Sequence, residues 1–259
     1  MKNNKINYTL DAKRYSLVIG WLYPELMNIY GDRGNIICLV KRCEWRGITT
    51  DVKYLDPGFS DNDLKSCDFL LMGGAQDRQQ TIVNEDLKKH HKTLAEMIDN
   101  GVPGLYVCGG FQFLGNYYKE ADGTMIDGLG IFDLYTENPG PTAPRLIGNI
   151  AVEIQDSGFK IQENEKNHKS SIINHKSIIV GFENHGGRTI LGPNIEPFGK
   201  VLKGHGNNKD GTEGAKYKNS FGTYMHGPIL PKNPHFADHL LRLALEKKYG
   251  SIELKELDD

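Results

Sequence analysis

Hydrophobic residues in the first half of the chain alternate between short continuous runs and longer stretches with the spacing of one helical face. The continuous runs predict buried strands at 16–22, 50–55, 67–72 and 104–108. The helically spaced stretches predict helices at 34–46 and 82–100, which end at Gly47 and at the Gly-Val-Pro turn of 101–103. Because strands and helices alternate, we expect an α/β fold, a three-layer sandwich with a mostly parallel central sheet and helices on both faces.

The second half of the chain is dominated by strand-like runs. They lie near 130–136, 146–154, 178–183, 199–203 and 220–225, and a closing helix is predicted at 234–248. The segment 156–177, rich in lysine, asparagine and serine, is predicted to be an exposed insertion, and the ends 1–14 and 251–259 to be flexible. We expect a single domain over 1–259, since this length can bury one sizeable core.

Composition and charge exclude several classes of function. The 31 basic and 33 acidic residues leave a formal charge of −2, and no long basic run favours nucleic acid. No stretch approaches the roughly 20 consecutive apolar residues of a membrane span, and the polar start favours a cytoplasmic protein without membrane insertion. The four cysteines, at 38, 43, 67 and 108, form no Cys-x-x-Cys pair. We therefore expect neither a metal site nor a disulfide framework.

Cys108 is the strongest candidate for chemistry. It ends an apolar run and precedes Gly109 and Gly110, after which 111–118 has helical character. This order is typical of a nucleophile elbow, in which a strained turn between strand and helix presents a reactive side chain. The partial positive charge of a helix N-terminus favours the thiolate form. The alternative is a cysteine that only packs at the end of a core strand, which leaves the glycine pair and Gln112 unexplained.

A thiolate nucleophile needs a base, most often histidine. His226 is the best of the nine histidines, because it lies at the end of a late strand; a structural histidine at that strand end is the alternative. His185 is the main rival, and we expect it to shape the site. His90 and His91 lie on a charged predicted helix, His235 and His239 lie on the last predicted helix, and His168 and His175 lie in the insertion.

Five motifs carry a resemblance to a known family. Cys108-x-Gly110-x-Gln112 matches the nucleophile motif of class I (triad-type) glutamine amidotransferases, and Gly222-Thr-Tyr-x-His226-Gly resembles the histidine motif of their cobyric acid synthase-like branch. The motifs at 30–36, 73–78 and 181–189 are similar to those of the glutaminase subunits of lipid II isoglutaminyl synthases, the GatD type. The resemblance covers about 16–248 and implies the flavodoxin-like class I amidotransferase fold.

The resemblance implies a glutaminase. Cys108 would attack the side-chain amide of glutamine and His226 would move the protons, with a glutamyl thioester as intermediate. The N–H groups of Gly109 and Gly74 would form the oxyanion hole, although Gly73-Gly74 could equally be a plain tight turn.

Two further side chains are expected to bind the glutamine substrate. Arg145 is the candidate for its α-carboxylate, because a guanidinium pairs well with that group, and Gln112 would help to orient it. A merely solvated Arg145 is the alternative, and Arg78 and Arg188 are rival anchors.

Two features point to a partner. The sequence His226-Gly-Pro departs from the His-x-Glu of many class I glutaminases, so an acid elsewhere in the chain or one from a partner would orient the histidine. No phosphate-binding Gly-rich loop is present, so we expect no cofactor in this chain. The resemblance implies that ATP and Mg belong to a MurT-type, Mur-ligase-like synthetase subunit, which would amidate the D-glutamate α-carboxyl of lipid II.

Three alternatives remain open at this stage. The chain could supply ammonia for corrinoid amidation, although such domains are usually fused to an ATP-using domain. It could be a non-catalytic, amidotransferase-like binding or regulatory subunit. It could also be a cysteine hydrolase of a related flavodoxin-like type that acts on another amide or on a thiol adduct.

Overall fold

The computed structural model describes residues 15–74, 77–154 and 177–259. Strands and helices alternate in the first half, as β1 (Ser16–Leu22), α1 (Arg33–Glu44), β2 (Thr49–Leu55), α2 (Asp61–Lys65), β3 (Phe69–Met72), α3 (Asp77–Lys89), α4 (His91–Asp99), β4 (Gly104–Val107) and α5 (Gly109–Leu114). Short strands fill most of the second half, as β5 (Tyr117–Lys119), β6 (Met125–Asp127), β7 (Leu134–Glu137), β8 (Leu146–Ile154), β9 (Ile178–His185), β10 (Arg188–Leu191), β11 (Gly199–Lys203), β12 (Thr212–Glu213), β13 (Ala215–Tyr217), β14 (Ser220–Thr223) and β15 (Met225–His226), before α6 (Ile229–Lys232) and α7 (Pro234–Tyr249).

The central sheet has the strand order β13-β14-β4-β3-β1-β2. Every neighbouring pair in it is parallel except the edge pair β13–β14. The predicted mostly parallel sheet is therefore confirmed. Parallel pairing brings the carboxyl ends of β3, β4 and β14 to one edge of the sheet, which is where ligands bind in folds of this kind.

Helices cover both faces of this sheet. On one face Ile19 and Trp21 of β1 pack in a hydrophobic core with residues of α1, α6 and α7. On the other face Leu70 and Met72 of β3 pack with residues of α3, α4 and α5. The alternation of strand side chains between the two cores follows from the period of two in a β-strand, and it confirms the three-layer arrangement.

Two helices differ from the sequence prediction. The helix expected over 82–100 is divided into α3 and α4 at His90, which has φ −99° and ψ 4° and whose Nδ1 lies 2.6 Å from Asp61 Oδ1. The helix expected to continue to 118 ends at Leu114, because Gly115 adopts an extended backbone with ψ −175°. Periodicity missed these breaks because each depends on one residue.

The second half forms two smaller sheets, ordered β10-β7-β5-β6 and β12-β11-β8-β9-β15. The strands predicted near 146–154, 178–183 and 199–203 correspond to β8, β9 and β11. Sequence reasoning missed β5, β6, β10, β12 and β13, each of two to four residues. Strands this short contain too few alternating positions to give a periodic signal.

The predicted flexible end 251–259 makes contacts with arginines at the end of α1 and just after it. Residues 251–259 have no regular secondary structure, but they lie against α1. Arg46 Nε donates a hydrogen bond to the carbonyl of Lys255 at 2.6 Å, and Arg42 pairs with Asp259 at 2.7 Å. The predicted flexible end 1–14 and the predicted insertion, apart from Ser177, lie outside the described residues. The single-domain organisation stays a prediction.

Candidate active site

Cys108 occupies a strained turn between β4 and α5. Its backbone has φ 52° and ψ −108°, in the left-handed half of conformational space that residues other than glycine rarely adopt. Two hydrogen bonds fix it: its N–H donates to Thr223 O at 2.8 Å, and its carbonyl accepts from Gln112 N at 3.0 Å. The elbow expected from the Cys-Gly-Gly sequence is therefore present, and the partly exposed thiol lies at the sheet edge.

The two glycines after Cys108 let the elbow approach the end of β3. Gly110 donates its N–H to Gly73 O at 3.2 Å. A Cβ on Gly110 would lie only 2.9 Å from Met72 O and 3.0 Å from Gly73 O, so a side chain there would push the two segments apart. Gly109 is the first residue of α5, and its N–H has no acceptor within the helix. That N–H is suited to an oxyanion.

His226 lies beside Cys108. It ends β15, which pairs with β9, and its side chain is fully buried. A Cβ on Gly74 would stand 3.0 Å from His226 Cε1 and 3.3 Å from Cys108 Cβ, so the two side chains flank the same point. The structure thus brings together the two residues that the sequence predicts as nucleophile and base.

The electrostatic surroundings of His226 favour its protonated form. Burial by itself would lower its pKa. The negative charge of Cys108, and then the carboxylate of Asp32, outweigh burial and raise the pKa of His226 to about 10. A cationic imidazole next to Cys108 stabilises the thiolate, which is the reactive form of cysteine.

Asp32 is a site residue that sequence reasoning missed. It is fully buried, its Oδ2 accepts a hydrogen bond from Gly74 N–H at 2.8 Å, and its Oδ1 lies 3.9 Å from His226 Nδ1. The only signal in the sequence was its place in the motif 30–36, to which no chemical role was given. The prediction for Gly74 is corrected here, because its N–H is already donated to Asp32 and is not available to an oxyanion in this conformation.

The motif 30–36 encloses the segment that begins at His226. The ring of Tyr30 meets the His226 ring edge-on, with centroids 4.8 Å apart. Gly34 lies against the ring of Pro228, leaving no room for a Cβ. Asn35 Oδ1 accepts a hydrogen bond from Leu230 N at 2.9 Å. The start of α1 therefore fixes the position of His226 from several sides.

Arg145 lies at the rim of the site. Its Nε and Nη2 donate to the side-chain and backbone oxygens of Asn184 at 2.8 and 2.9 Å, and Asn184 Nδ2 donates to Tyr30 OH at 2.7 Å. Arg145 is exposed, and its Nη1 points to Gly186. Its rival Arg188 is bound to the carbonyls of Gly186 and Pro144. Of the two, Arg145 is freer to meet a ligand; the side chain of Arg78 lies outside the described part.

Gln112 lies beneath the site instead of lining it. It is 4% exposed, and its Nε2 donates to Tyr224 OH at 3.0 Å. Tyr224 OH also hydrogen-bonds Thr189 Oγ1 at 2.6 Å. The predicted direct contact of Gln112 with substrate is therefore replaced by a role in a buried network that supports α5.

His185 has a structural role, as expected. Its ring stacks on Tyr224 with centroids 3.6 Å apart, and its Nδ1 hydrogen-bonds Gly187 O at 2.8 Å. Burial lowers the pKa of His185. It is thus held neutral within the network and does not compete with His226.

Over 15–74, 77–154 and 177–259, no helix combines the length and the apolar character needed to cross a bilayer. Within the same ranges, no three His, Cys, Asp or Glu side chains converge as ligands for a metal ion.

Comparison with known families identifies the chain. Residues 18–234 match the CobB/CobQ-like glutamine amidotransferase domain, so most of the chain is covered. The chain belongs to this family. The resemblance inferred from the five motifs is thereby confirmed.

Individual relatives show which members of the family this chain resembles. The chain is 40% identical over 248 residues to the GatD subunit of the glutamine-hydrolysing lipid II isoglutaminyl synthase of Staphylococcus aureus, covering 95% of this chain and 91% of that protein. It is 40% identical to the GatD subunit of Streptococcus pneumoniae, covering 95% and 87%. A probable cobyric acid synthase of Methanococcus maripaludis is 32% identical, but the match spans 36% of that longer protein and 76% of this chain.

Solved structures support the fold. A crystal structure of a glutamine amidotransferase has a TM-score of 0.55 at 15% identity, covering 87% of this chain and 98% of that one. The glutaminase domain of Trypanosoma brucei CTPS with bound acivicin has a TM-score of 0.51 at 13% identity, covering 90% and 95%. The predicted class I amidotransferase-like fold is confirmed.

Proposed function

We propose that this chain is the glutamine-hydrolysing subunit of a lipid II isoglutaminyl synthase. The observation that carries the proposal is the juxtaposition of Cys108 on its strained elbow with His226 across Gly74. The two GatD relatives, 40% identical over 95% of the chain, support the choice of pathway.

The first half of the reaction releases ammonia. The Cys108 thiolate attacks the side-chain amide carbon of glutamine and forms a tetrahedral oxyanion. His226, whose pKa is raised to about 10, holds the proton that the departing nitrogen needs. When the C–N bond breaks, ammonia leaves and a glutamyl thioester on Cys108 remains. The N–H of Gly109 is the donor that we assign to the oxyanion.

The second half regenerates the thiolate. His226, neutral after giving up its proton, removes a proton from water, and the oxygen attacks the thioester carbon. Breaking the C–S bond yields glutamate and the Cys108 thiolate, with His226 again protonated. Two proton transfers through one histidine therefore complete the cycle.

Substrate capture is assigned to Arg145 at the rim. Its charge suits the α-carboxylate of glutamine; among the described residues, Asn184 accepts hydrogen bonds from its Nε and Nη2, and its Nη1 lies near Gly186. Asn184 also contacts Tyr30, which packs on His226. A carboxylate bound by Arg145 is thereby connected to His226 through the side chains of Asn184 and Tyr30.

Transfer of the ammonia to an acceptor requires a second subunit. Amidation of a carboxylate needs an activated acyl group, and we assign ATP and Mg to a MurT-type, Mur-ligase-like partner in the cytoplasm, where ATP is available. That partner would activate the D-glutamate α-carboxyl of lipid II and receive ammonia from this chain. The relatives named as subunits of a glutamine-hydrolysing synthase support this division of work.

Corrinoid amidation has weaker support. The match to the probable cobyric acid synthase of Methanococcus maripaludis is less identical and spans 36% of that protein, against 91% for the GatD relative of Staphylococcus aureus. A non-catalytic binding subunit would not need a strained cysteine beside a cationic histidine.

Release of glutamate and ammonia from glutamine tests the proposal. Wild type and Cys108→Ala are assayed with and without a co-expressed Mur-ligase-like partner, and lipid II amidation is followed by mass spectrometry. We expect glutamate release that requires Cys108, and amidated lipid II only when partner and ATP are present. Release of glutamate without amidation of lipid II would support the glutaminase activity but contradict the proposed role in lipid II amidation. No release of glutamate in any setting would contradict the glutaminase activity itself.

A further inference from the structure

Tyr30 has a backbone conformation that disfavours a side chain. It lies in the left-handed region, with φ 55° and ψ 23°, and Gly31 follows it with φ 80°. Such positions normally take glycine or asparagine, because a Cβ is strained there. Tyr30 is also 45% exposed. Neither the turn nor burial in a core therefore explains why a large aromatic residue stands at this position.

Backbone hydrogen bonds hold the turn around Tyr30 without help from its side chain. Asn28 Oδ1 accepts a hydrogen bond from Arg33 N at 2.8 Å, and Ile29 N donates to Gly74 O at 3.3 Å. The second bond attaches the segment to the turn that follows β3, beside Cys108. Strain that the surroundings impose in this way is concentrated at functional sites. The turn thus presents the Tyr30 side chain to the candidate active site.

The ring of Tyr30 lies between His226 and solvent. The two rings meet with centroids 4.8 Å apart, and the imidazole is fully buried although Tyr30 is exposed. Cys108 and Asp32 face His226 from other sides. Attraction between opposite charges is stronger where water is excluded. A ring that excludes water would therefore favour the pairing of the imidazolium with the Cys108 thiolate.

The hydroxyl of Tyr30 belongs to the rim that is assigned to the substrate. It accepts a hydrogen bond from Asn184 Nδ2 at 2.7 Å, and Asn184 Oδ1 accepts one from Arg145 Nε at 2.8 Å. The Asn184 amide is therefore fixed at both its nitrogen and its oxygen, which determines the direction in which it faces. Loss of the Tyr30 hydroxyl would free this amide to turn and would loosen Arg145.

We propose that Tyr30 is a positioning residue for glutamine hydrolysis: its ring shields His226 from water, and its hydroxyl holds Asn184 so that Arg145 faces the substrate α-carboxylate. This inference rests on the proposed function. Tyr30 exchanges no proton with glutamine and acts only through His226 and Arg145. Because one side chain performs both roles, the substrate anchor and the cover of the base are mechanically connected.

Two variants of Tyr30 separate the two roles. Tyr30→Phe removes only the hydroxyl, whereas Tyr30→Gly removes the ring as well and adopts the left-handed backbone without strain. Tyr117 is the matched control, because its hydroxyl donates to Glu137 Oε1 at 3.0 Å and its ring stacks on Tyr135. Tyr117→Phe and Tyr117→Gly are compared with the Tyr30 variants by kcat and KM for glutamine and by the thermal midpoint.

For Tyr30→Phe we expect KM to rise about 3- to 10-fold with kcat within about twofold of wild type, because one hydrogen bond at the substrate anchor is lost. For Tyr30→Gly we expect the same rise in KM and a fall in kcat of about 10-fold or more. Its thermal midpoint should not fall, whereas a merely structural ring would lower it. Both Tyr117 variants should keep the wild-type kcat and KM.

A measurement without glutamine tests the cover directly. Exchange of the hydrogen on Cε1 of His226 for deuterium, followed by mass spectrometry, should be at least about threefold faster in Tyr30→Gly than in wild type or Tyr30→Phe. His185, buried and stacked on Tyr224, is the internal reference and should not change. If wild type releases no glutamate, the proposed function fails, and this exchange still decides whether Tyr30 shields His226.

Three results would overturn the proposal. An unchanged kcat and an unchanged His226 exchange rate in Tyr30→Gly would remove the role of the ring. An unchanged KM in Tyr30→Phe would remove the role of the hydroxyl. If neither Tyr30→Gly nor Tyr30→Asn folds, Tyr30 serves folding instead of positioning, since both replacements tolerate the left-handed backbone.

Discussion

At the N-terminal end of α1, Asp32 is buried with one carboxylate oxygen that has no hydrogen-bond donor among the described residues. At the C-terminal end, Asp238 of α7 meets Arg42 Nε at 2.6 Å and Arg46 Nη2 at 2.6 Å, and Arg42 also pairs with Asp259 at 2.7 Å. Both ends carry acids, but only at the second end are the acids paired with arginine side chains.

The difference shows how one helix serves two purposes. Paired charges at the C-terminal end join α1, α7 and the last residues of the chain, and they carry no reactive group. The unsaturated acid at the N-terminal end lies beside a cysteine with strained backbone and a buried histidine. Regions in which strained or unpaired groups reduce local stability are typically functional sites.

The largest expected effect is a loss of activity without a loss of stability when Cys108, which lies beside the N-terminal end of α1, is replaced. Cys108→Ser should lower glutamate release at least about a thousandfold, because a hydroxyl is a much weaker nucleophile than a thiolate. Its thermal midpoint should stay within a few degrees of wild type. The control is Cys38→Ser, a cysteine on α1 whose pKa burial raises to about 11. Comparable loss in both variants would contradict the assignment of Cys108.

The next effect concerns the C-terminal end. Arg42→Met should lower the free energy of unfolding by about 3 kcal/mol, because it leaves Asp238 short of a buried partner, while kcat per folded molecule stays the same. Chemical denaturation measures the first quantity and the glutamate assay the second.

Lys41→Met is the matched control for Arg42→Met. Lys41 is the neighbouring residue of α1, and its ion pair with Glu44 is exposed at 52% and 60%. Exposed pairs contribute under about 1 kcal/mol. If Arg42→Met lowered kcat as much as a change at the N-terminal end, the division of α1 into two roles would fail.

A smaller, pH-dependent effect sharpens the comparison. The pKa of His226 is 6.5 in an ordinary environment and about 10 in the fold, so protonation contributes stability. That contribution is fully present below pH 6.5 and is lost as the pH rises toward 10. Wild type should therefore lose more stability than His226→Gln between these pH values in urea titrations. Equal losses would show that the imidazolium is not stabilised in the fold.

The smallest effect is expected at the last residue. Asp259→Asn should cost less than about 1 kcal/mol, because the side chain of Asp259 is 41% exposed and solvent screens its pair with Arg42. Activity should not change. A larger loss of stability, measured by thermal unfolding, would mean that the last residues act as an integral part of the core.

The sequence was sufficient for the elements that produce periodic or strongly local signals. The strands around Ile19, Leu70 and Leu105 were predictable as continuous apolar runs, and the Cys108 elbow as a strand followed by two glycines. Its neighbour His226 was found because catalytic cysteines need a base and it lies at a strand end.

Other features could not be predicted, because they depend on contacts between distant segments. Asp32 reaches Gly74 across 42 positions of sequence, and Gln112 reaches Tyr224 across 112. A local pattern contains no information about such pairs. The same holds for Arg42 with Asp238, which only the packing of α1 on α7 brings together.

The most direct test of the account is to inactivate the protein with the diazoketone analogue of glutamine and locate the adduct by peptide mass spectrometry. Burial raises the pKa of Cys43 to about 12 and of Cys67 to about 11, so these thiols should not compete. We predict a single adduct on Cys108, prevented by excess glutamine and formed much more slowly in His226→Ala. A label on another residue, or loss of activity without any adduct on Cys108, would contradict the account.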